Sequence, residues 1–336
     1  MPEFLPEWHP QWGVMIAWPH ANTDWVSLLQ HAENCYVQIA LAISAQQQLL
    51  IIHQDIEHKA HIQQLLQAHN ANLCNIHWHQ SAYNDTWVRD YGPLAVSTGN
   101  TIELHKFTFN GWGNKFDAEL DNQVSVHVPW QAPLNIHDDF VLEGGAIESD
   151  GRRNLLTTEA CLLNPNRNPR LNREQVEERL RDTLNVRQIW WLKHGYLAGD
   201  DTDSHIDTLA RFCNAYTIAY MQCNDPEDEH YTALQAMEQE LFNLASHEGF
   251  DLLPLPLPPA QFAQDGHRLP ATYANFLIIN HRVLVPTYNS PTDEAALERI
   301  ASAMPDYQVI GIDCRALIEQ HGSLHCVTMQ IPKGVL

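Results

Sequence analysis

The sequence predicts an α/β fold, and two observations support this prediction. Short apolar runs typical of buried strands alternate along the chain with stretches whose apolar residues recur at helical spacing. Two antiparallel strand pairs are also indicated, each followed by a helix: 146–148 with 154–157, and 276–279 with 283–286. A repeated strand–strand–helix–strand unit would therefore account for about five segments of comparable length.

The individual elements are predicted from local signals. Residues 24–48 carry apolar side chains close to every 3.6 positions, which predicts a long helix. Asn172 and Gln175 form a capping pair, which predicts a helix over residues 172–184. The remaining predictions are strands at 14–18, 49–52, 73–78 and 309–312, helices at 58–69, from Ser290-Pro291 onward and at 315–320, and an irregular, proline-rich edge segment at 252–259.

The composition indicates a single domain, residues 1–336, in a reducing compartment. The chain is 44% hydrophobic, as globular proteins are, and no low-complexity linker divides it. It has no run of about 18 apolar residues and no basic segment ahead of an apolar one, so we expect neither a membrane span nor a secretory signal. Seven cysteines without paired spacing favour free thiols and a cytoplasmic location. The oligomeric state is left open, with a homo-oligomer among the options.

The charge of the chain is compatible with a small cationic partner, although charge alone more often indicates only a solvated acidic surface. It has 41 acidic side chains against 19 lysines and arginines, a formal net charge of −22. Nucleic acid would need a basic surface, whereas an acidic one attracts small cations. The 20 histidines are dispersed and match no metal-binding motif, so no essential metal is expected.

A candidate nucleophile and its partners can be selected from their contexts. Cys326 lies in a Gly/Ser turn before a short apolar run, where a nucleophile would be presented. His205 and Asp207 would share one face of an extended chain, and Asp90 precedes a predicted turn at 91–93. Two acids beside a thiolate require a cation between them, and a guanidinium is the planar cation that binds two carboxylates. Taken singly, each of these residues is more often structural.

Motifs of one enzyme family occur in order along nearly the whole chain. They are Pro6-Glu7-Trp8, Ala17-Trp18-Pro19, Trp87-Val88-Arg89-Asp90-Tyr91-Gly92-Pro93, Phe109-Asn110-Gly111-Trp112-Gly113-Asn114-Lys115, Leu142-Glu143-Gly144-Gly145, the run 156–164 with Asn166-Arg167-Asn168-Pro169, Gly199-Asp200-Asp201-Thr202, His205-Ile206-Asp207 and His325-Cys326-Val327-Thr328. With these motifs the chain resembles the agmatine deiminase and bacterial peptidylarginine deiminase family, within the guanidino-group-modifying superfamily.

The resemblance implies a fold and a set of roles. The fold is a five-bladed, pseudo-symmetric α/β propeller built from ββαβ units, with no metal and no organic cofactor. Cys326 would be the nucleophile, His205 the general acid and base, Asp90 and Asp207 the carboxylates that hold the guanidinium, and Glu143 the acid that positions the histidine. The implied reaction is deimination of a guanidino compound, foremost agmatine to N-carbamoylputrescine and ammonia in polyamine biosynthesis, through an amidino-cysteine intermediate.

The sequence indicates less clearly which residues contact the rest of the substrate. Trp87 and Trp112 are predicted to line the pocket, with packing in the core as an equal alternative, and Asp201 is predicted to face the amine of agmatine. Two segments depart from the agmatine enzymes: 321–324 replaces a turn of three glycines and an asparagine, and 203–205 replaces an Asn- or Asp-Gly-His sequence. Deimination of free or peptide-bound arginine, amidine transfer to an amine, and binding without catalysis therefore remain as alternatives.

Overall fold

A computed structural model describes residues 3–336. The strands are β1 (Glu3–Phe4), β2 (Gln11–Ala17), β3 (Gln48–His53), β4 (Ile76–Gln80), β5 (Leu94–Ser97), β6 (Ile102–Thr108), β7 (Leu134–Val141), β8 (Ile147–Ser149), β9 (Asn154–Thr158), β10 (Gln188–Leu192), β11 (Ala210–Asn214), β12 (Thr217–Gln222), β13 (Asp251–Pro256), β14 (Gln261–Phe262), β15 (Arg268–Leu269), β16 (Leu277–Ile279), β17 (Arg282–Thr287), β18 (Gln308–Asp313) and β19 (Met329–Pro332).

Helices connect these strands. They are α1 (Leu29–Ser44), α2 (Ile56–Ala68), α3 (Val88–Tyr91), α4 (Gly111–Asn114), α5 (Asp121–His127), α6 (Glu159–Leu162), α7 (Arg173–Leu184), α8 (Tyr231–Glu248), α9 (Asp293–Ala303) and α10 (Arg315–Ile318). Single 3₁₀ turns lie at Asp24–Ser27, Leu73–Asn75, Gly144–Ala146 and Ile206–Thr208.

Five sheets share one pairing order, in which an antiparallel pair is followed by a parallel strand. The sets are β5-β6-β7, β8-β9-β10, β11-β12-β13, β16-β17-β18 and β19-β2-β3. A parallel neighbour requires a crossover connection, and in every set at least one helix lies between the last two strands. The predicted α/β class and the strand–strand–helix–strand repeat are therefore confirmed. Within residues 3–336 the sheets are separate, and none closes on itself.

The fifth sheet joins the two ends of the chain. Strand β19 pairs antiparallel with β2, with Met329 opposite Met15, and β2 then pairs parallel with β3. Strands β4 and β1 extend two of the sheets at their edges, and β14 with β15 forms a separate ribbon. The C-terminal segment, in which Cys326 precedes β19, is thus held by strand β2 near the N-terminus.

Crossover helices cover the sheets with apolar faces. In α8, Leu234, Met237 and Leu241 recur three and four positions apart and are fully buried. Burying each side chain of this size stabilises the fold by about 1.5–3 kcal/mol. No helix in the described part of the chain combines the length and the apolar character needed to cross a membrane.

Several predicted elements are confirmed. Both antiparallel pairs form, as β8 with β9 and as β16 with β17. Helix α7 begins after Asn172, whose side chain accepts from the Gln175 N–H while the Gln175 side chain accepts from the Asn172 N–H. The helix ends at Asn185, which adopts the left-handed conformation common after a helix.

The helix predicted over 24–48 is wrong in its extent. Thr23 instead caps a 3₁₀ turn at Asp24–Ser27, and Leu28 has a non-helical backbone (φ −122°, ψ 9°). Helix α1 then runs to Ser44, and Gln48 already belongs to β3. Apolar spacing indicates a buried face, but it does not record a break between two short helical segments.

Other boundaries also differ from prediction. The strand predicted at 73–78 begins with a 3₁₀ turn, and α10 ends before 319. Helix α9 starts at Asp293 rather than at Pro291, because the Asp293 carboxylate accepts from the N–H groups of Tyr288 and Ser290 and holds a turn ahead of the helix. The segment predicted as irregular at 252–259 contains β13, an edge strand where proline is tolerated.

Candidate active site

The predicted catalytic residues lie at equivalent places in the repeated units. Each precedes the first strand of a unit: Asp90 before β5, Glu143 before β8, His205 and Asp207 before β11, and Cys326 before β19. In the remaining unit this place is occupied by Asn275, before β16. Five segments far apart in the sequence therefore contribute to one site.

The local conformation of two of these segments differs from prediction. His205 and Asp207 were expected on one face of an extended chain, but Ile206–Thr208 forms a 3₁₀ turn. Asp90 lies within the one-turn helix α3 rather than ahead of an open turn. Both segments still direct their carboxylates inward, because Asp90 is 3% exposed and Asp207 is fully buried.

Cys326 lies beside a carboxylate and an amide. Its Sγ donates to Asn275 Oδ1 at 3.4 Å and lies 4.0 Å from Asp207 Oδ2. Burial, followed by the negative charges of Asp207 and Asp90, raises the pKa of Cys326 well above its ordinary value. Without a ligand the site therefore holds a thiol here, and a cation is needed to convert it to the reactive thiolate.

Asp90 is held in one orientation by two donors. Its Oδ1 accepts from the Gly145 N–H and its Oδ2 from the Trp112 indole N–H, both at 2.9 Å. Burial is the larger cause that raises the pKa of Asp90 to about 7, and nearby Glu143 adds to it. Asp90 is thus poised between its acid and its carboxylate near neutral pH.

Asp207 presents one free oxygen. Its Oδ2 lies 2.7 Å from His325 Nδ1, whereas its Oδ1 is buried without a hydrogen-bond partner. Burial and the charge of Asp90 raise the pKa of Asp207 well above its ordinary value. An arriving cation would supply the missing donor and favour the ionised form.

His205 is fully buried, and neither of its ring nitrogens has a hydrogen-bond partner. Its Nδ1 lies 3.7 Å from Asp90 Oδ1. Burial, with the positive charge of Arg167 as the second cause, lowers the pKa of His205 well below its ordinary value. The imidazole is therefore neutral in the absence of a ligand and able to accept a proton.

Glu143 lies next to this histidine and is also fully buried. Its Oε1 accepts from Arg167 Nε at 2.9 Å, whereas its Oε2 has no hydrogen-bond partner. The expected positioning bond between Glu143 and His205 is not formed, although atoms of both lie in one compact cluster. Both side chains therefore hold buried polar atoms without a hydrogen-bond partner.

This cluster also contains a set of metal-ligand types. Atoms of Glu143, Cys161 and His205 lie within 4.8 Å of one another. Three such ligands could suit zinc. However, the Arg167 guanidinium is bonded to Glu143 at this place and supplies a positive charge of its own, which opposes a second cation. The arrangement fits an acid–base group better than a resident metal.

A narrow cavity leads to Cys326, with about 390 Å³ of empty space when the open solvent at its mouth is included. Its lining includes the predicted substrate contacts Trp87, Trp112 and Asp201, and none of its described lining residues is lysine or arginine. His205, Asp207 and Glu143 are buried behind it. The full lining is Asp24, Asp85, Trp87, Asp90, Trp112, Phe116, Asp201, Thr202, Gln320, His321, Gly322 and Cys326.

Comparison with known proteins identifies the family. The model of the Porphyromonas-type peptidyl-arginine deiminase family matches residues 3–332. This chain belongs to that family. The agmatine deiminase of Pseudomonas syringae pv. syringae (strain B728a) is 32% identical, in an alignment that covers 97% of this chain and 94% of the relative.

Solved structures of the family superpose closely on this chain. An agmatine deiminase of C. jejuni, a cysteine-to-serine variant with substrate bound, has a TM-score of 0.93 at 38% identity and covers 100% of this chain and 98% of its own. A structure from Porphyromonas gingivalis, described provisionally as an arginine deiminase, has a TM-score of 0.92 at 44% identity and covers both chains fully. The chain thus has the mixed α/β fold of agmatine deiminase structures.

The two departures from the family pattern keep a glycine-like backbone. His321, Asp203 and Ser204 all have positive φ values, of 65°, 66° and 65°. Such values favour glycine, so the non-glycine residues here carry local strain. Gly322 is retained, because a Cβ there would lie 2.2 Å from a ring atom of Trp87. In the turn before Cys326, His321 therefore has a backbone conformation that glycine would adopt without strain.

Four residues of the site received no role from the sequence. Asn275 has no signal around it, since Ala274-Asn275-Phe276 resembles any strand entrance. Gly145, Arg167 and His325 lie inside recognised motifs, but only the contacts reveal that Gly145 supports Asp90, that Arg167 binds Glu143 and that His325 binds Asp207.

Gly145→Ala is expected to reduce kcat/KM by about 10²-fold or more, because displacements of about 1 Å can cost that much. The added Cβ would lie 2.6 Å from His205 Nδ1, 2.8 Å from Asp90 Oδ1 and 3.0 Å from Asp207 Oδ2. Steady-state kinetics test this, with Gly311→Ala as the control, since its Cβ would meet only the methyl of Thr287 at 3.0 Å and flexible leucine atoms beyond it. Equal, small effects of the two variants would contradict the geometry.

Proposed function

We propose that this protein hydrolyses agmatine to N-carbamoylputrescine and ammonia, with Cys326 as the nucleophile. The observation that carries the proposal is a thiol flanked by Asp207 and Asp90 at the end of an acidic cavity. This arrangement is unfavourable in the free enzyme and becomes favourable when a planar cation enters. The relatives named agmatine deiminase support the same reaction.

Binding would place the guanidinium between Asp90 and Asp207. The unpartnered Asp207 Oδ1 accepts from one side of the cation, and Asp90 faces the other. The positive charge lowers the pKa of the Cys326 thiol, because it offsets the two carboxylates that raise it. Neutral His205 accepts the thiol proton, which leaves the sulfur anion beside the electrophilic carbon.

The first half of the reaction forms a carbon–sulfur bond and breaks a carbon–nitrogen bond. The Cys326 thiolate adds to the guanidinium carbon, and His205 returns its proton to one terminal nitrogen, which leaves as ammonia. In the second half His205 takes a proton from water, the hydroxide adds to the same carbon, and the carbon–sulfur bond breaks. The departing thiolate regains a proton from His205, and the new hydroxyl group loses its proton to solvent. The product is a ureido group, and the free enzyme is restored.

The cavity favours agmatine over arginine. The α-carboxylate of arginine would need a cationic partner, but the described lining contains neither lysine nor arginine. An amine tail would instead meet Asp24, Asp85 and Asp201. Burial is the main cause that raises the pKa of Asp85, and likewise that of Asp201, to about 6. A bound ammonium would stabilise both as carboxylates.

We further propose that the five ββαβ units form the blades of one propeller, in a single catalytic domain over residues 1–336. The shared pairing order and the equivalent places of the site segments support this arrangement. A propeller brings equivalent loops of its blades to a common axis, which is where one site could collect residues from every unit. A cytoplasmic location and possible self-association remain predictions.

Activity should fall at acidic pH. The pKa of Asp90 is raised to about 7, so the carboxylate that must pair with the guanidinium becomes protonated below that value. Because kcat/KM reports the free enzyme, its profile from about pH 5 to about pH 9 should decline on the acidic side with an apparent pKa near 7. A flat profile across neutrality would contradict the role of Asp90.

The function is tested by supplying agmatine, arginine and a blocked arginyl peptide in parallel and measuring ureido product from each. Agmatine should be the best substrate. Preferred turnover of the peptide, with agmatine untouched, would refute the substrate assignment. Adding glycine or another amine tests the transferase alternative, since an amidinotransferase would yield an amidinated amine in place of the ureido product.

A further inference from the structure

A buried series of side chains in contact with one another extends from Asp207, and the proposed reaction gives it no role. His325, which is 1% exposed, places its Nδ1 2.7 Å from Asp207 Oδ2 and its Nε2 2.7 Å from Glu7 Oε2. One imidazole thus connects the guanidinium-binding carboxylate to a second acid from the opposite end of the chain. The backbone N–H of His325 is also hydrogen-bonded, since it donates to Asn275 Oδ1 at 2.9 Å.

The distal acid is anchored by arginines. Glu7 Oε2 lies 3.0 Å from Arg211 Nη2 and 3.4 Å from Arg89 Nη2. Arg211 also pairs with Glu148, and all four side chains are buried. The two arginines balance Glu7 and Glu148, and their charges also favour the ionised form of Asp207. His325 supplies the hydrogen bond to Asp207 Oδ2.

The number of protons shared among Asp207, His325 and Glu7 determines which atoms of His325 donate. A carboxylate only accepts, so two carboxylate oxygens at 2.7 Å from the two ring nitrogens require two protons in the Asp207–His325–Glu7 chain. Burial opposes the ionisation of Glu7, but the charges of Arg211 and His325 lower its pKa and help to hold it ionised. With Glu7 ionised, the ring donates at Nε2, and the second proton lies between Nδ1 and Asp207 Oδ2.

We propose that His325 is a positioning residue that keeps Asp207 oriented, and ionised once the substrate's guanidinium is bound, by donating from Nδ1 while Glu7 fixes the ring. This inference rests on the proposed function. The donation occupies Oδ2 and leaves Oδ1 for the cation. Without the donor, burial and the charge of Asp90, which favour the neutral acid, are opposed by the charges of Arg211 and Arg89 but no longer by a hydrogen bond to Oδ2. Asp207 then ionises less readily and attracts the guanidinium less strongly.

Two substitutions test the roles of the two ring nitrogens of His325 separately. The amide nitrogen of His325→Asn can occupy the place of Nδ1 and donate to Asp207, whereas that of His325→Gln reaches the place of Nε2 and leaves Asp207 without its donor. Both variants are polar and of similar size, so they serve as matched controls for each other. Thermal melting of each establishes that it folds.

Binding is measured by titrating agmatine into variants that also carry Cys326→Ser, which removes turnover, and kcat/KM is measured against pH in the single variants. We expect His325→Gln to weaken binding by about tenfold or more, as loss of a hydrogen bond to a charged group does. Its acidic limb should also move to higher pH. His325→Asn should stay within about threefold of its parent.

Two results would overturn the inference: His325→Gln with unchanged binding and pH profile, or equal losses in both folded variants. Failure of the proposed function is a separate outcome, because it appears as wild-type enzyme that neither binds nor turns over agmatine. In that case the comparison is repeated with whichever of arginine or the blocked arginyl peptide the wild-type enzyme converts, and the same two results decide it.

Discussion

Cys326→Ser is expected to lower the turnover of agmatine by about 10⁵-fold or more, the scale seen when a catalytic nucleophile is removed. The serine hydroxyl is far less acidic than a thiol, and the flanking carboxylates oppose its ionisation further. Asp90 and Asp207 are untouched by the change, so agmatine should still bind. The measurement is ammonia release, with calorimetric titration for binding.

Cys74→Ser is the matched control for this substitution, because Cys74 is an exposed free cysteine outside the site. It should retain wild-type turnover. If Cys326→Ser kept more than about a hundredth of wild-type turnover, attack by this sulfur would be excluded as the main route.

His205→Gln should slow turnover by about 10²–10⁴-fold, the usual value of acid–base catalysis by one side chain. The glutamine keeps a polar group in the buried place but cannot carry a proton from the thiol to ammonia and then from water. Since His205 is fully buried behind the cavity, KM should change much less than kcat. Steady-state kinetics separate the two parameters.

The matched control is His247→Gln, an exposed histidine in the last turn of α8. It should behave as wild type. A loss of less than about tenfold in His205→Gln would mean that another group moves the protons.

The repeated unit of the fold was predictable because its signals are local. Asn172 with Gln175 determines where α7 begins, and short turns between apolar runs join β8 to β9 and β16 to β17. The break at Leu28 was not predictable, since the apolar face continues on both sides of it. The number of units follows from pairing across the sheets, such as β19 with β2, which no local pattern records.

The candidate site also has a part that could be predicted from the sequence and a part that could not. Cys326, His205 and the acids were selected because their residue types occur together within motifs that follow the order of one enzyme family. Asn275 and the Asp207–His325–Glu7 chain were missed, because their roles exist only through contacts between residues 50 to 318 positions apart. Resemblance supplied the order of the motifs, and only the folded chain shows which atoms meet.

The most direct test of the account compares residual activity with the fraction of Cys326 alkylated by a haloacetamidine, an amidine that delivers its carbon to a nearby thiolate. Peptide mass mapping measures the labelled fraction, with and without agmatine. The account predicts that activity falls in proportion to labelling of Cys326 and that agmatine slows the labelling. Full activity in enzyme whose Cys326 is completely alkylated, or labelling that agmatine does not slow, would contradict it.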